Sequence, residues 1–320
     1  MHTRQTIDCD VRPEFTAVYL RLAGDECAFI EAHTAHAVPR LLSALAAAGR
    51  RPEQVRWVIV THAHLDHAAG AGALLARCPN ATLLAHPRAA RHLVDPSKLI
   101  ASATRVYGEA RFARLYGSIE PIPAARVQAL DDGARFALGD ATLQVHHTAG
   151  HAKHHFVVDD PATGTVYTGD TFGLVYPALQ RAARFALPST SPTDFDAAAA
   201  QRSLEQVLAL GEPAACPTHY GELRDLREVA AQLGAWIDRS AAWVESGARS
   251  DESPAALEAR LAGAIREAID GELRGRGLVP GAADWELLAV DIELNAQGLA
   301  FAALRQREGA GGSAKRLDAS

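Results

Sequence analysis

Residues 61–72 read THAHLDHAAGAG and follow the apolar run VRWVIV at 55–60, so that His62, His64, Asp66 and His67 fall within six positions. The chain holds 14 histidines in 320 residues. At that frequency a His-x-His-x-Asp-His string arises by chance in roughly one such chain in 500, and accident explains it poorly. An extended segment puts residues i and i+2 on one side, so His62 and His64, leaving the end of a strand, can converge on one metal ion. Asp66 and His67 come one turn later, where the Ala/Leu-rich segment begins a helix, and can face a second ion. Gly70 and Gly72 keep that helix start uncluttered.

Outward from this stretch, the first two thirds of the chain alternate strand-like and helix-like segments. AVYLRL (17–22), CAFIEA (27–32), RWVIVT (56–61) and ATLLAH (81–86) are short β-rich runs. AVPRLLSALAAAG (37–49) has helical periodicity closed by Gly49. A second series, ARFAL (134–138), ATLQVHHT (141–148), HHFVVDD (154–160) and GTVYTGD (164–170), reads as strands, with DDPATG the turn between the last two. Two strand-rich halves with helices around them, including segments near 193–210 and 221–245, predict a layered α/β protein.

SGARSDESP (246–254) interrupts two helical patterns and marks a boundary. The expected organisation is a catalytic domain over 1–245, a helical appendage over 246–307, and a disordered tail over 308–320, where no apolar pattern remains. With 48% hydrophobic and 22% charged residues, the composition is that of a soluble globular protein. A net charge of −6 disfavours nucleic acid and anionic membranes as partners. Cys9, Cys27, Cys78 and Cys216 form no Cys-x-x-Cys pair and read as buried thiols. The N-terminus has no apolar signal core, and no run of about 18–20 uninterrupted apolar residues follows; a cytoplasmic protein is expected.

Three further positions share the character of the opening stretch, each a ligand-type side chain just beyond a β-rich run. His151 follows LQVHHTAG, Asp170 follows GTVYTG, and His219 follows EPAACPT. Each alone has a dull alternative: a surface histidine cluster with His146, His147, His154 and His155, a turn aspartate, a helix N-terminal residue. Together with the 62–67 cluster they favour a metal centre.

On these residues the chain resembles the metallo-β-lactamase superfamily, in its glyoxalase II-like hydrolase branch. HAHLDH matches the family's His-x-His-x-Asp-His motif, TAGH ending at His151 its TPGH motif, TGD ending at Asp170 its Gly-Asp motif, and PTHYGE its final histidine at His219. The resemblance covers about residues 1–245. It implies an αββα sandwich and two divalent metal ions, Zn²⁺ first and Fe or Mn²⁺ as alternatives. His62, His64 and His151 would hold one ion, Asp66, His67 and His219 the other, with Asp170 bridging and Asp66 also placed to act in catalysis. Where the family has an Asp-x-Gly-like loop this chain reads IEAHTAH, so Glu31 and His33 are candidates to orient a ligand from behind it. His36 reads as an ordinary loop histidine.

Two adjacent divalent ions lower the pKa of bound water from about 15.7 toward 7, which supplies a hydroxide nucleophile at neutral pH. The reading is a binuclear hydrolase of a small ester, thioester or lactone. With only Lys98, Lys153 and Lys315 as lysines, a grip on glutathione carboxylates is not evident. Phe172, Tyr176 and Tyr220 are candidate substrate contacts, and 107–118 is a candidate covering element. Three other readings stand beside it: a phosphodiesterase of the same fold, an iron-dependent oxidoreductase or sulfur dioxygenase, and a sensor or interaction protein retaining the metal site. A small-molecule substrate is the expected partner, and a homodimer is open.

Overall fold

The computed structural model describes residues 2–9, 12–190 and 194–317. Each strand-rich half forms its own sheet. The first contains β1 (His2–Asp8), β2 (Ala17–Ala23), β3 (Glu26–Ile30), β4 (Val55–Ile59), β5 (Thr82–Ala85) and β6 (Val127–Ala129) in sequence order across the sheet. The second contains β7 (Arg135–Leu138), β8 (Ala141–His147), β9 (Phe156–Asp160), β10 (Thr165–Leu174) and β11 (Ala214–His219), again in order. Both sheets are mixed: β1 to β3 pair antiparallel and β3 to β6 parallel, while β7 to β10 pair antiparallel and β10 with β11 parallel.

The apolar pattern explains the layering. β2 is buried along its whole length, as a central strand covered on both faces must be. Tyr19, Ile30, Ile59 and Leu84 of the first sheet meet Leu143, Val145, Phe156, Val158 and Tyr167 of the second in the middle of the sandwich. Outside the first sheet, α1 (Val38–Ala47), α3 (Ala71–Arg77) and α4 (Pro87–Val94) bury Leu41, Leu45, Leu74, Leu75 and Leu93. Outside the second, α7 (Ala197–Ala209) and α8 (Leu226–Arg249) bury Leu204, Val207, Val229 and Leu233. The result is the αββα sandwich expected from the motifs. Arg21 of β2 and Asp160 of β9, both fully buried, pair through two contacts of 2.5 and 3.2 Å and join the sheets. Removing one partner would strand the other's charge in the interior, at a cost of about 3–5 kcal/mol.

The C-terminal segment is helical, as expected, and it is built into the molecule. Ser253 caps α9 (Pro254–Gly275) by accepting from Ala256 N at 3.3 Å. Leu257, Leu261, Ile265 and Ile269 of α9 recur every four residues and form one stripe. They share a core with Leu288, Ile292 and Leu299 of α10 (Ala282–Leu317) and with Leu174, Tyr176, Phe185 and Leu187 of the preceding domain. α10 is helical to Leu317, which reaches into the 308–320 segment expected to be a disordered tail. Its packed turns have already met the cost of nucleation, so each added residue gains a helical hydrogen bond; residues 318–320 lie outside the described residues. The part of α10 from Ala282 to Gly309 is long and apolar enough by composition to cross a membrane, but 56% of its apolar window is buried inside the molecule.

Candidate metal centre

All seven motif side chains gather at one edge of the sandwich, where strands of both sheets end. β4 stops at Ile59, and His62 follows in the loop. His64 has extended backbone (φ −66°, ψ 150°) and begins the one-turn α2 (Leu65–Ala68), which carries Asp66 and His67. The loop after β3 braces this turn: Ala32 N donates to His67 O and Gly70 N to His33 O, both at 2.9 Å. Gly70 is required by that approach, since a Cβ there would lie 2.5 Å from the Ala32 carbonyl oxygen.

The second sheet supplies the remaining three. His151 lies in the loop between β8 and β9, Asp170 lies within β10, and His219 ends β11. Gly169, before Asp170, has φ +49°, and a Cβ on it would stand 2.5 Å from both His155 Nε2 and Thr61 Oγ1. His155 is therefore no surface histidine. It is 1% exposed, accepts from Asp170 N at Nε2 (3.2 Å) and faces Thr148 Oγ1 at Nδ1 (2.8 Å).

Two clusters result, with an aspartate between them. His151 Nε2 is 3.2 Å from His62 Nε2 and 2.9 Å from His64 Nδ1. Asp66 Oδ2 is 3.3 Å from His219 Nε2 and 3.7 Å from His67 Nε2. Asp170 turns Oδ2 toward His151 (3.4 Å) and Oδ1 toward His67 (3.2 Å) and His219 (3.7 Å). Ligand-type atoms of His62, His64 and His151, and those of Asp66, His67 and His219, each fall within 4.8 Å of one another, as do those of His62, His67 and Asp170.

The outer ring nitrogens show which tautomers are present. His151 Nδ1 lies 2.9 Å from the Ser189 carbonyl and His219 Nδ1 3.0 Å from the Phe15 carbonyl. A carbonyl only accepts, so both Nδ1 atoms carry protons. With Nδ1 so held, Nε2 is the atom that faces inward and would offer its lone pair to a cation. Glu31 does the same for the other side. Its carboxylate accepts from His67 Nδ1 (3.1 Å), Thr61 Oγ1 (2.5 Å), Thr61 N (3.3 Å) and Thr218 Oγ1 (3.3 Å). The Thr61 hydroxyl, committed as a donor to Glu31, is left to accept from His62 Nδ1 at 3.1 Å. Glu31 holds φ +70° and His33 φ +50°, a left-handed backbone that non-glycine residues seldom adopt. His33 Nδ1 donates to the Asp66 carbonyl at 2.9 Å. Both residues proposed to sit behind the ligands are there. His36 bonds instead to the Ala113 carbonyl (3.3 Å) of α6 (Glu109–Tyr116), the helix that follows α5 (Ser97–Tyr107) and occupies most of the 107–118 segment.

The charges divide along the two clusters. Burial pushes His62 and His64 well below the ordinary histidine range, and the crowding of neighbouring imidazoles adds to it. For His67 and His219 burial acts in the same direction but is outweighed: Asp170, Asp66 and Glu31 raise His67 well above its usual value, and Asp170 and Asp66 bring His219 to about 9. Asp66 and Asp170 are correspondingly drawn down by His67 and its neighbours despite their burial. The buried Asp170 and the part-exposed Asp66 thus demand positive charge, and imidazoliums meet that demand when no cation does.

The proposed substrate contacts divide. Phe172 is fully buried among Val157, Val166, Leu204 and Leu226 on the outer side of the second sheet, so it is core and does not line a pocket. At this point β10 turns Phe172 away from the ligands. Tyr176 is close to them, its ring 6.3 Å from that of His219, but it is 1% exposed. Phe15 covers it, stacked at 4.9 Å, while itself standing edge-on to His219 at 5.8 Å. The Tyr176 hydroxyl donates to Asp291 of α10 at 3.3 Å. Tyr220 is half-buried beside the inter-sheet core. Phe15, half-buried at the site, was missed by sequence reading because it sits in an irregular loop without periodicity.

The donor set fits divalent metal ions. His67 Nε2 and Asp170 Oδ1 are buried at the centre of the cluster, 3.2 Å apart, yet neither makes a hydrogen bond. Buried polar atoms rarely stay unsatisfied, and a cation between imidazole and carboxylate would satisfy both.

Known proteins share this fold. The profile described as metallo-beta-lactamase superfamily matches residues 12–219. A curated relative, the metallo-beta-lactamase fold-containing protein ST1585 of Sulfurisphaera tokodaii, is 27% identical over 146 residues. That match spans 44% of this chain and about half, 51%, of the relative. The crystal structure of ST1585 superposes with a TM-score of 0.64 over 93% of this chain and 98% of its own, at 20% identity. The metallo-beta-lactamase family protein TTHA1429 of Thermus thermophilus gives 0.64 over 96% and 94%, at 18% identity. The subclass B3 metallo-beta-lactamase MEM-A1, isolated from a soil metagenome library, gives 0.51 over 74% and 91%, at 17% identity. The sandwich, its C-terminal helices and the profile match lead to one assignment: the chain belongs to the metallo-beta-lactamase superfamily.

Proposed function

We propose that the protein is a binuclear metal-dependent hydrolase of small esters, thioesters or lactones. The observation that carries this reading is the placement of Asp170 between two three-residue clusters, with one carboxylate oxygen toward each. His62, His64 and His151 would hold one ion and Asp66, His67 and His219 the other. When bound, two such ions activate water and polarise a substrate carbonyl. The chain's own contribution is the rest. Glu31 and the Ser189 and Phe15 carbonyls fix ring orientation, and burial excludes bulk water from all but one side. That side is marked by Asp66, whose side chain is 42% exposed, and by the part-exposed His64; the other five side chains are buried. Substrate would enter over α2, with Asp66 placed to hold a proton at its free carboxylate edge and Phe15 as the apolar wall. Zn²⁺ is the first choice of metal, since histidine and carboxylate donors suit it. A cytoplasmic setting and a small-molecule partner complete the proposal, and the net charge of −6 disfavours a polyanion as partner.

The test joins metal analysis to substrate profiling. Protein purified without added metal, then loaded to saturation, should hold two ions per chain; one ion at saturation would overturn the binuclear reading. Across neutral esters, thioesters and lactones, kcat/KM should exceed that for a phosphodiester. It should rise about fourfold per added methylene, from about 0.8 kcal/mol of burial each, until Phe15→Ala flattens the series. A preference for the phosphodiester would overturn acyl chemistry.

A further inference from the structure

The C-terminal helix places one polar side chain where the metal centre is supported. Asn295 of α10 is 5% exposed, on a helix whose neighbouring inward positions are Leu288, Ile292 and Leu299. Its Oδ1 accepts from Thr190 N at 2.5 Å and Thr190 Oγ1 at 2.7 Å, and its Nδ2 donates to the Pro188 carbonyl at 3.1 Å. The side chain therefore grips residues 188 and 190, the two neighbours of Ser189. The Ser189 carbonyl is the acceptor for His151 Nδ1. With its flanking groups clamped, that peptide has little freedom to rotate, and His151 Nε2 stays aimed at His62 and His64.

A buried amide in an apolar helix face is costly unless every donor and acceptor is matched. Here Oδ1 accepts two bonds and Nδ2 donates one, all to the residues on either side of Ser189. Docking of α10 alone would not need this: Asp284 already pairs with Arg181 through two contacts of 2.8 and 2.9 Å, and Arg12 donates to the Leu287 carbonyl at 3.0 Å.

We propose that Asn295 is a positioning residue for His151, acting through the Ser189 carbonyl, so that the C-terminal helix sets metal affinity at the His62–His64–His151 cluster and leaves the Asp66–His67–His219 cluster untouched. The inference rests on the metal reading above.

The experiment measures Zn²⁺ affinity by chelator competition in two backgrounds of the full chain. Asp66→Ala leaves the first cluster whole, and His64→Ala leaves the second. Asn295→Leu should weaken Zn²⁺ about tenfold or more in the first background and less than about twofold in the second. Thr190→Val, which deletes one hydroxyl, should show the same selectivity at about threefold and serves if Asn295→Leu does not fold. Equal affinity in the first background, or equal losses in both, would overturn the proposal while wild-type Zn²⁺ binding kept the metal reading. A wild-type chain that takes up no Zn²⁺ would overturn both.

Discussion

Replacing Glu31 by glutamine changes one atom at the best-connected point behind the ligands. The carboxylate accepts three bonds at Oε1, from Thr61 Oγ1, His67 Nδ1 and Thr218 Oγ1, and one at Oε2, from Thr61 N. Glutamine has a single acceptor oxygen. Set at the Oε1 position it keeps three partners and turns its NH₂ against the Thr61 N–H, donor against donor; the opposite rotamer loses three partners. The first is cheaper, and it leaves the Thr61 N–H and the amide N–H facing it without acceptors, at about 1–3 kcal/mol or more. The bond to His67 also weakens, because an amide oxygen replaces a charged acceptor, by roughly 1 kcal/mol. Apo stability should therefore fall by about 1–3 kcal/mol in urea denaturation. Zn²⁺ affinity at the Asp66–His67–His219 cluster should fall about tenfold, the equivalent of 1.4 kcal/mol. Glu31→Gln within twofold of wild type in affinity and indistinguishable in stability would refute the reasoning.

Two other perturbations follow from the same geometry. Gly169→Ala should destabilise the fold by at least about 2 kcal/mol, since it combines a left-handed backbone with overpacking against His155 and Thr61; a wild-type urea midpoint would count against this. Asp291 is buried and its carboxyl is raised from 3.8 to about 7, by desolvation and by Asp170, against the opposing pull of His219, Tyr176 and Arg12. The folded chain then binds the proton that the unfolded chain has released, so metal-free stability should decline as pH rises from about 4 to about 7, by at most about 1.4 kcal/mol per pH unit. Asp291→Asn should remove that slope and gain on wild type between about pH 5 and pH 8; an unchanged gap between the two proteins would refute it.

Much of the centre was legible because it is local. His62, His64, Asp66 and His67 leave one strand end in six residues, and the other three candidate ligands each follow a β-rich run. The supports were not legible, because they are carbonyls and side chains brought in by tertiary contact. Phe15 O is 204 residues from His219, and Asn295 reaches Thr190 across 105. Nothing local in the sequence marks either. β1 escaped notice for a different reason: it is an edge strand whose HTRQTID sequence is mostly polar, and only pairing with β2 makes it a strand. Phe172 was misplaced because the period of two in a regular strand sets positions 170 and 172 on one face, whereas the β10–β11 register shifts between Gly169 and Leu174 and breaks that alternation.

The division of the chain into two self-contained sheets would give bound metal a second task. β1–β6 and β7–β11 exchange no strands, and each ligand cluster draws from both sides: His62 and His64 with His151, Asp66 and His67 with His219. Neither half alone can complete a coordination sphere. A bound ion is thus a rivet through the seam between the halves, and the free energy of its capture is added to the seam as RT ln(1 + [ion]/Kd). Occupancy would then report assembly, and scarcity of metal would be felt as a loosening between the two layers.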